Sequence, residues 1–246
     1  MRLLRLQERI RKPLLGFVRL MYYLKLIKPW YTVTNPLKRF IIWQSPFFRN
    51  MNPDIVLDIG ANTGEFIINA KKTFPSARII AFEPVESCFI KLKDRFGDKS
   101  NITLYNVALG SENKKGAIFV SDFSPSSSIV RPEGNYKTEE ISIKRLDEYL
   151  DILKGENKVF IKIDVEGFEL EVLKGAESFL QRADWIYLES RILDSIGCNF
   201  TDLYNYLTSR NWLFLGSYDN VFNDKGYLIY FDALFLNMNR NNLPKP

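Results

Sequence analysis

The chain has 246 residues, 46% of them hydrophobic, which suits one large domain with a sizeable core and excludes disorder throughout. It has no histidine, so no histidine base, histidine-containing triad or histidine metal site can form; its two cysteines, Cys88 and Cys198, lack metal or redox spacing and fit a reducing, cytoplasmic compartment. The net charge of +5 is uneven, because residues 1–50 carry +10 and the rest of the chain carries −5.

Residues 1–50 predict a basic amphipathic helical extension ahead of a domain over 51–246. Leu3, Leu6, Ile10 and Leu14 share one side of a helix, with Arg2, Arg5, Arg9 and Lys12 elsewhere around it. Leu14 to Ile27 is apolar, but Arg19 and Lys25 interrupt it, so a membrane span is not expected. Two uses stay open: helices that pack on the domain, or a helix lying on an anionic membrane surface, which would place the protein peripherally at the inner membrane face. Basic charge alone names no partner, and nucleic acid is not expected.

From Asp54 onward strands and helices alternate, the pattern of a mostly parallel sheet covered on both faces. Ile55–Ile59 reads as a buried strand, followed by a turn bracketed by Gly60 and Gly64 and a helix from Thr63. Arg78–Phe82 is the second strand, 86–96 a helix, and Ile102–Val107 the third strand. Ala117–Val120 and Glu140–Ile143 read as added strands, with a Ser-, Pro- and Gly-rich loop between them at 122–137. Leu146–Leu153 predicts a short helix and Val159–Ile163 the fourth strand. Gly167–Leu180 predicts one helix that Gly175 weakens, Trp185–Leu188 the fifth strand, and Thr201–Ser209 a helix. Leu213–Leu215 and Ala233–Leu236 are late strands.

Glycines in a strand–turn–helix corner let a ligand lie against the backbone, and the helix start attracts a negative group. Glu83, about 20 residues on at the end of the second strand, is where a nucleotide ribose is held. Two cofactors fit that corner, a nicotinamide or flavin dinucleotide and S-adenosylmethionine. The dinucleotide fingerprint needs three glycines, and aligned on Gly60 the other two positions hold Asn62 and Glu65. S-adenosylmethionine has no phosphate, and its carboxylate needs only one glycine turn.

The motifs V-L-D-I-G-A-N-T-G (56–64), A-F-E-P (81–84), N-V-A-L-G (106–110), S-S-S (126–128) and K-I-D-V-E-G-F-E-L-E-V-L-K-G-A (162–176) stand in order over roughly residues 52–236. By these the chain resembles the FkbM-type S-adenosylmethionine-dependent methyltransferases. The resemblance implies a doubly wound, Rossmann-like class I methyltransferase sheet, with the last strand antiparallel. It also implies hydroxyl acceptors on sugars, glycans or polyketide-like metabolites, with a sugar as the first choice. An NAD-type oxidoreductase and a non-catalytic cofactor-binding adaptor are the alternatives.

Ligands of open α/β sheets lie beyond the carboxyl ends of the strands, and polar groups converge there. Gly60, Ala61, Asn62 and Gly64 are expected to meet the methionine part, Asp58 to fix the turn or reach the methionine ammonium, and Glu83 to accept the ribose hydroxyls. Asn106 and Ala108 are expected to border the adenine. Asp164 and Glu166 share the parity of Lys162 along an extended segment. Asp164 and Glu166 are the catalytic candidates, Asp164 as base or acceptor positioning, and Lys162 and Glu189 are expected to face the substrate, with Glu166 and Lys162 orienting each other. Glu189 is a further acid at the same rim. The resemblance adds Ser126, Ser127 and Ser128 as acceptor-site candidates. No diagnostic metal-ligand spacing is present, and no metal is assigned.

Overall fold

The computed structural model describes Trp43 and residues 46–120, 128–130, 137–153, 155, 158–192 and 197–241. In chain order these form α1 (Pro46–Met51), β1 (Ile55–Ile59), α2 (Glu65–Thr73), β2 (Arg78–Phe82), α3 (Glu86–Phe96), β3 (Ile102–Tyr105), β4 (Ala108–Leu109), β5 (Lys114–Val120) and β6 (Lys137–Lys144). A 3-10 helix (Leu146–Ile152), β7 (Val159–Ile163), α4 (Glu169–Lys174), α5 (Glu177–Leu180), β8 (Trp185–Arg191), α6 (Phe200–Thr208), β9 (Trp212–Phe222) and β10 (Leu228–Asn237) follow.

Seven strands make one sheet in the order β3-β2-β1-β7-β8-β10-β9. The first five run parallel, while β10 runs antiparallel to both β8 and β9. β1 and β7 are buried along their whole length, which is why both read as nearly continuous apolar runs. One face carries Leu57, Ile59, Ile161, Ile163 and Leu188 against Val172 and Leu173 of α4, Phe179 of α5 and Leu203 and Leu207 of α6. The other carries Val56, Ala81, Phe160 and Tyr187 against Trp43, Phe48 of α1, Ile67 and Ala70 of α2 and Leu92 of α3. Helices therefore cover both faces. The chain reverses direction across the sheet between β1 and β7, and the crevice at that point is where such sheets hold ligands.

Several boundaries differ from the sequence expectation. The third strand stops at Tyr105, because Ala108–Leu109 leaves to pair with β6 in a separate sheet of order β4-β6-β5. The expected helix over 167–180 is two helices. Gly175 separates them where a Cβ would stand 1.8 Å from the Gly110 carbonyl oxygen, and Asp147 accepts from Ser178 and Phe179 N–H at the start of α5. The late strands are more than twice as long as their apolar cores suggest, since β9 and β10 pair with each other almost from end to end.

Of the expected 1–50 extension, only Trp43 and residues 46–50 are described. Trp43 and Phe48 are buried, with the Trp43 ring 4.9 Å from Tyr187. The membrane-surface expectation for the rest lies outside the described residues, as do most of the 122–137 loop and Ser126 and Ser127. Among the described residues no helix is long and apolar enough to cross a membrane.

Candidate active site

The turn after β1 is built from its backbone. Gly60 sits at φ 80°, Asn62 at φ 48° and Gly64 at φ 89°. Gly60 is required twice over, by its left-handed φ and because a Cβ there would lie 1.9 Å from the Asp164 carbonyl oxygen. The two exit turns, of β1 and β7, thus touch directly. Ala61 is buried, and Gly64 ends the turn immediately before α2, which begins at Glu65, two residues later than the expected helix start.

Beneath the turn lies a buried cation. Lys162 Nζ stands 3.1 Å from Asp58 Oδ1, 3.5 Å from Asp164 Oδ2 and donates to the Gly60 carbonyl at 3.1 Å. Its position follows from register, since Lys162 of β7 is the direct partner of Asp58 in β1. Burial pulls the ammonium down, but Asp58 and Asp164 more than offset this and hold it above the ordinary lysine range. Asp58 is fully buried, and burial raises its carboxyl even though Lys162 lowers it. Asp58 Oδ2 meets no hydrogen-bond donor among the described residues. Lys162 is therefore committed to the glycine turn, where the sequence reading had it beside Glu166 and facing substrate.

Glu83 ends β2 as a nearly buried carboxylate. Its Oε2 accepts from Asn62 N–H at 2.7 Å and its Oε1 from Val85 N–H at 2.9 Å. Burial pushes it up to about 7 against those two hydrogen bonds. Asn106 does not open toward a ligand through its amide nitrogen, which donates to the Glu83 and Pro84 carbonyls at 3.0 and 3.2 Å and ties the ends of β2 and β3 together. Ala108 is buried with Val85, Ile118, Ile141 and Ile143 under the small sheet.

The acids of the rim do converge. Glu166, at φ 53°, ion-pairs with Arg191, whose Nη2 also lies 3.1 Å from Glu189 Oε1. Burial, then Asp164, pushes Glu166 up to about 7 and Glu189 up to about 9, while Arg191 lowers both. Asp164 is the most open of the three, with 32% of its side chain exposed against 23% for Glu166 and 11% for Glu189. Ser128 Oγ donates to the Glu166 carbonyl at 2.6 Å and accepts from Val130 N–H at 3.1 Å, so this hydroxyl braces the turn.

Two contributors escaped the sequence reading. Arg191 lies on the same side of β8 as Glu189 by alternation, a signal available only once β8 is known to run past Leu188. Glu169 accepts from Val165 and Gly167 N–H at 3.2 and 3.1 Å and from Cys198 Sγ at 3.4 Å, closing the β7 exit turn from below. Burial drives Cys198, next to Glu169, up to about 12, so its thiol is inert at neutral pH. Among the described residues no three acids or cysteines are placed to hold a metal ion.

The corner fits S-adenosylmethionine on its own features. A backbone cradle that a Cβ would fill, a carboxylate at the end of β2 and an undonated buried Asp58 oxygen suit a ligand that carries a carboxylate, a ribose and an ammonium. A model of the methyltransferase FkbM domain matches residues 58–215. Hexuronic acid methyltransferase AglP of Haloferax volcanii is 30% identical over 139 residues, 55% of either chain. The 2-O-methyltransferase NoeI of Sinorhizobium fredii is 27% identical over 159 residues, 56% of this chain and 63% of that one. The chain thus spans between half and two thirds of the length of these curated relatives. A crystal structure of methyltransferase FkbM from Methylobacillus flagellatus superposes with a TM-score of 0.51 at 19% identity, covering 75% of this chain and 44% of that one, a likeness of fold. With the glycine turn and both acidic motifs inside the matched span, the chain belongs to the FkbM methyltransferase family, and its methyl donor is S-adenosylmethionine.

Proposed function

We propose that this protein methylates a hydroxyl oxygen of a sugar. The observation that carries the reading is the gathering of Asp164, Glu166 and Glu189 beside the glycine turn, with Asp164 the most open. A partly exposed carboxylate such as Asp164 can accept from a hydroxyl group and take its proton. Two relatives named for methylating a hexuronic acid and a 2-hydroxyl position support the choice of acceptor.

When bound, S-adenosylmethionine supplies an electrophilic methyl group on a sulfonium, suited to in-line displacement. The chain supplies alignment and a base. The Gly60–Gly64 backbone, with Ala61 and Asn62, cradles the methionine end, and Asp58 with its undonated oxygen faces the ammonium. Glu83 keeps its two backbone donors and accepts ribose hydroxyls with its remaining lone pairs. Asn106 and Ala108 act from behind, fixing the strand ends that border the adenine. Asp164 orients the acceptor hydroxyl and takes its proton as the new bond forms. Lys162 steadies Asp164 and Gly60 together.

The test is turnover of methyl-labelled cofactor with hexuronic acids, neutral hexoses and phenolic hydroxyl compounds, read as S-adenosylhomocysteine formed. Asp164→Asn keeps the shape and removes the charge. It is expected to hold cofactor affinity within a few-fold and to lower turnover by about 10²–10⁴, the range for losing a general base. Normal turnover of the variant, or transfer confined to nitrogen or carbon acceptors, refutes the reading. Binding of NAD in place of S-adenosylhomocysteine would return the oxidoreductase alternative.

A further inference from the structure

We propose that Arg191 is a positioning residue of this site: its guanidinium gathers the Glu166 and Glu189 carboxyl groups at one nitrogen and leaves Asp164 as the carboxylate turned to the acceptor. The proposal rests on the reading of Asp164 given above.

The geometry comes from two strands and one turn. β8 extends to Arg191 because β10 pairs beside it, with Tyr230 opposite Arg191 and Asp232 opposite Glu189. Alternation puts Glu189 and Arg191 on one side of β8, the side that Lys162 and Asp164 share on β7. Glu166 lies in the turn that follows β7, with its backbone in the left-handed region at φ 53°. A non-glycine residue stays in that region when its surroundings over-determine it. Here the Glu166 carbonyl accepts from Ser128 Oγ, the following Gly167 carbonyl accepts from Cys198 N–H, and the Glu166 carboxylate pairs with Arg191. The turn is therefore held at its backbone and at its side chain separately.

The charges around the pair show what the guanidinium prevents. Asp164 and Lys162 face it from β7, Glu169 from α4 and Asp232 from β10. Lys162 is engaged by Asp58, Asp164 and the Gly60 carbonyl. Without Arg191, Glu166 would lose its cation partner in a half-closed site beside Asp164 and Glu189. Glu166 and Glu189 would then both hold their protons to higher pH. Burial already raises both; Arg191 lowers both, and Lys162 also lowers Glu166.

The experiment uses the full chain with Arg191→Met and Arg191→Lys. Carboxylate titration by carbon-13 NMR of labelled glutamate is read beside the pH profile of kcat and the affinity for S-adenosylhomocysteine. In Arg191→Met the Glu166 and Glu189 midpoints are expected to rise by about one pH unit or more, the scale of losing an adjacent opposite charge. Glu83 stays in place, cofactor affinity holds within about threefold, and kcat at neutral pH falls about 10- to 100-fold with its acidic limb moved upward. Arg191→Lys keeps the charge but ends one bond short of the Nη2 that meets both carboxyl groups, so one midpoint returns toward its original value and the other does not. A purely structural arginine would lower the melting temperature and leave both midpoints and the acidic limb where they were, and that result overturns the proposal. Should Arg191→Met fail to fold, Arg191→Lys decides alone, and two unmoved midpoints refute the idea. If the wild type turns over no hydroxyl acceptor, the sugar reading fails, while the NMR midpoints still judge Arg191.

Discussion

Glu83→Gln separates what the β2 carboxylate does for folding from what it does for the cofactor. The wild-type carboxylate accepts two buried backbone N–H groups, from Asn62 and Val85. Glutamine has one oxygen, so its NH2 faces one of those donors, and it no longer offers two acceptors to a ribose. Leaving a buried donor or a ribose hydroxyl unpaired costs about 1–3 kcal/mol, which corresponds to a loss of roughly 5- to 150-fold in affinity. Stability moves the other way with pH. Glu83 is pushed up to about 7 from an ordinary 4.5, so it holds a proton in the folded state that the unfolded chain has already released. Its contribution is present below about pH 4.5 and lost as pH rises through about 7. The shift is worth roughly 2–3 kcal/mol between pH 5 and pH 8. The variant lacks that titration, so its stability relative to wild type improves by this amount over the same interval. Urea unfolding at pH 5 and pH 8, with calorimetry of S-adenosylhomocysteine at pH 8, reads both quantities. Weaker binding by a variant that its urea curve shows to be folded at pH 8 is then the loss of a cofactor contact. Unchanged affinity would remove Glu83 from the cofactor site, and an unchanged pH slope would refute its burial as a charge.

Two further substitutions probe the frame beneath the turn. Lys162→Met leaves Asp58 buried without its cation and should cost about 3–5 kcal/mol in urea unfolding at neutral pH; a loss under about 1 kcal/mol would show that Asp58 does not depend on the pair. Gly60→Ala forces a side chain into a φ of 80° and against the Asp164 carbonyl, so the melting temperature should fall and binding of S-adenosylhomocysteine should be lost together. Retained binding in a folded Gly60→Ala protein would contradict the close approach.

The parts of the molecule that were legible in the sequence are those set by local chemistry. β1, β2 and β7 have the expected bounds because strands buried on both faces write themselves as short apolar runs closed by turn residues. Gly60, Gly64 and Glu83 were legible because a turn that approaches a ligand needs those residue types. What was hidden depends on partners far along the chain. β8 reaches Arg191 only because Tyr230 lies beside it, and nothing in residues 185–191 announces that. Lys162 looked like a rim residue by parity, but its register partner is Asp58, more than 100 residues earlier, and the buried acid draws the ammonium under the turn. Gly175 looked like a weak point in a helix and is instead the place where the Gly110 backbone passes. Of the serine run, Ser128 donates its hydroxyl to the Glu166 carbonyl and accepts from Val130 N–H, while Ser126 and Ser127 lie outside the described residues.

The contact between Gly60 and the Asp164 carbonyl bears on how acceptor choice can drift in such a protein. The backbone that carries the donor side and the backbone that carries the proposed base share one wall, with no room for a methyl group between them. A substitution that moved the Asp164 turn by half an ångström to admit a bulkier acceptor would push on the glycine turn by a similar amount. Innovation in substrate range is therefore cheapest where the structure has slack, in segments that reach the rim without touching this wall. Libraries intended to retarget methylation would do best to hold residues 58–64 and 162–167 constant and to vary the β9–β10 tip, where Tyr227 is 61% exposed and Phe222 49% exposed.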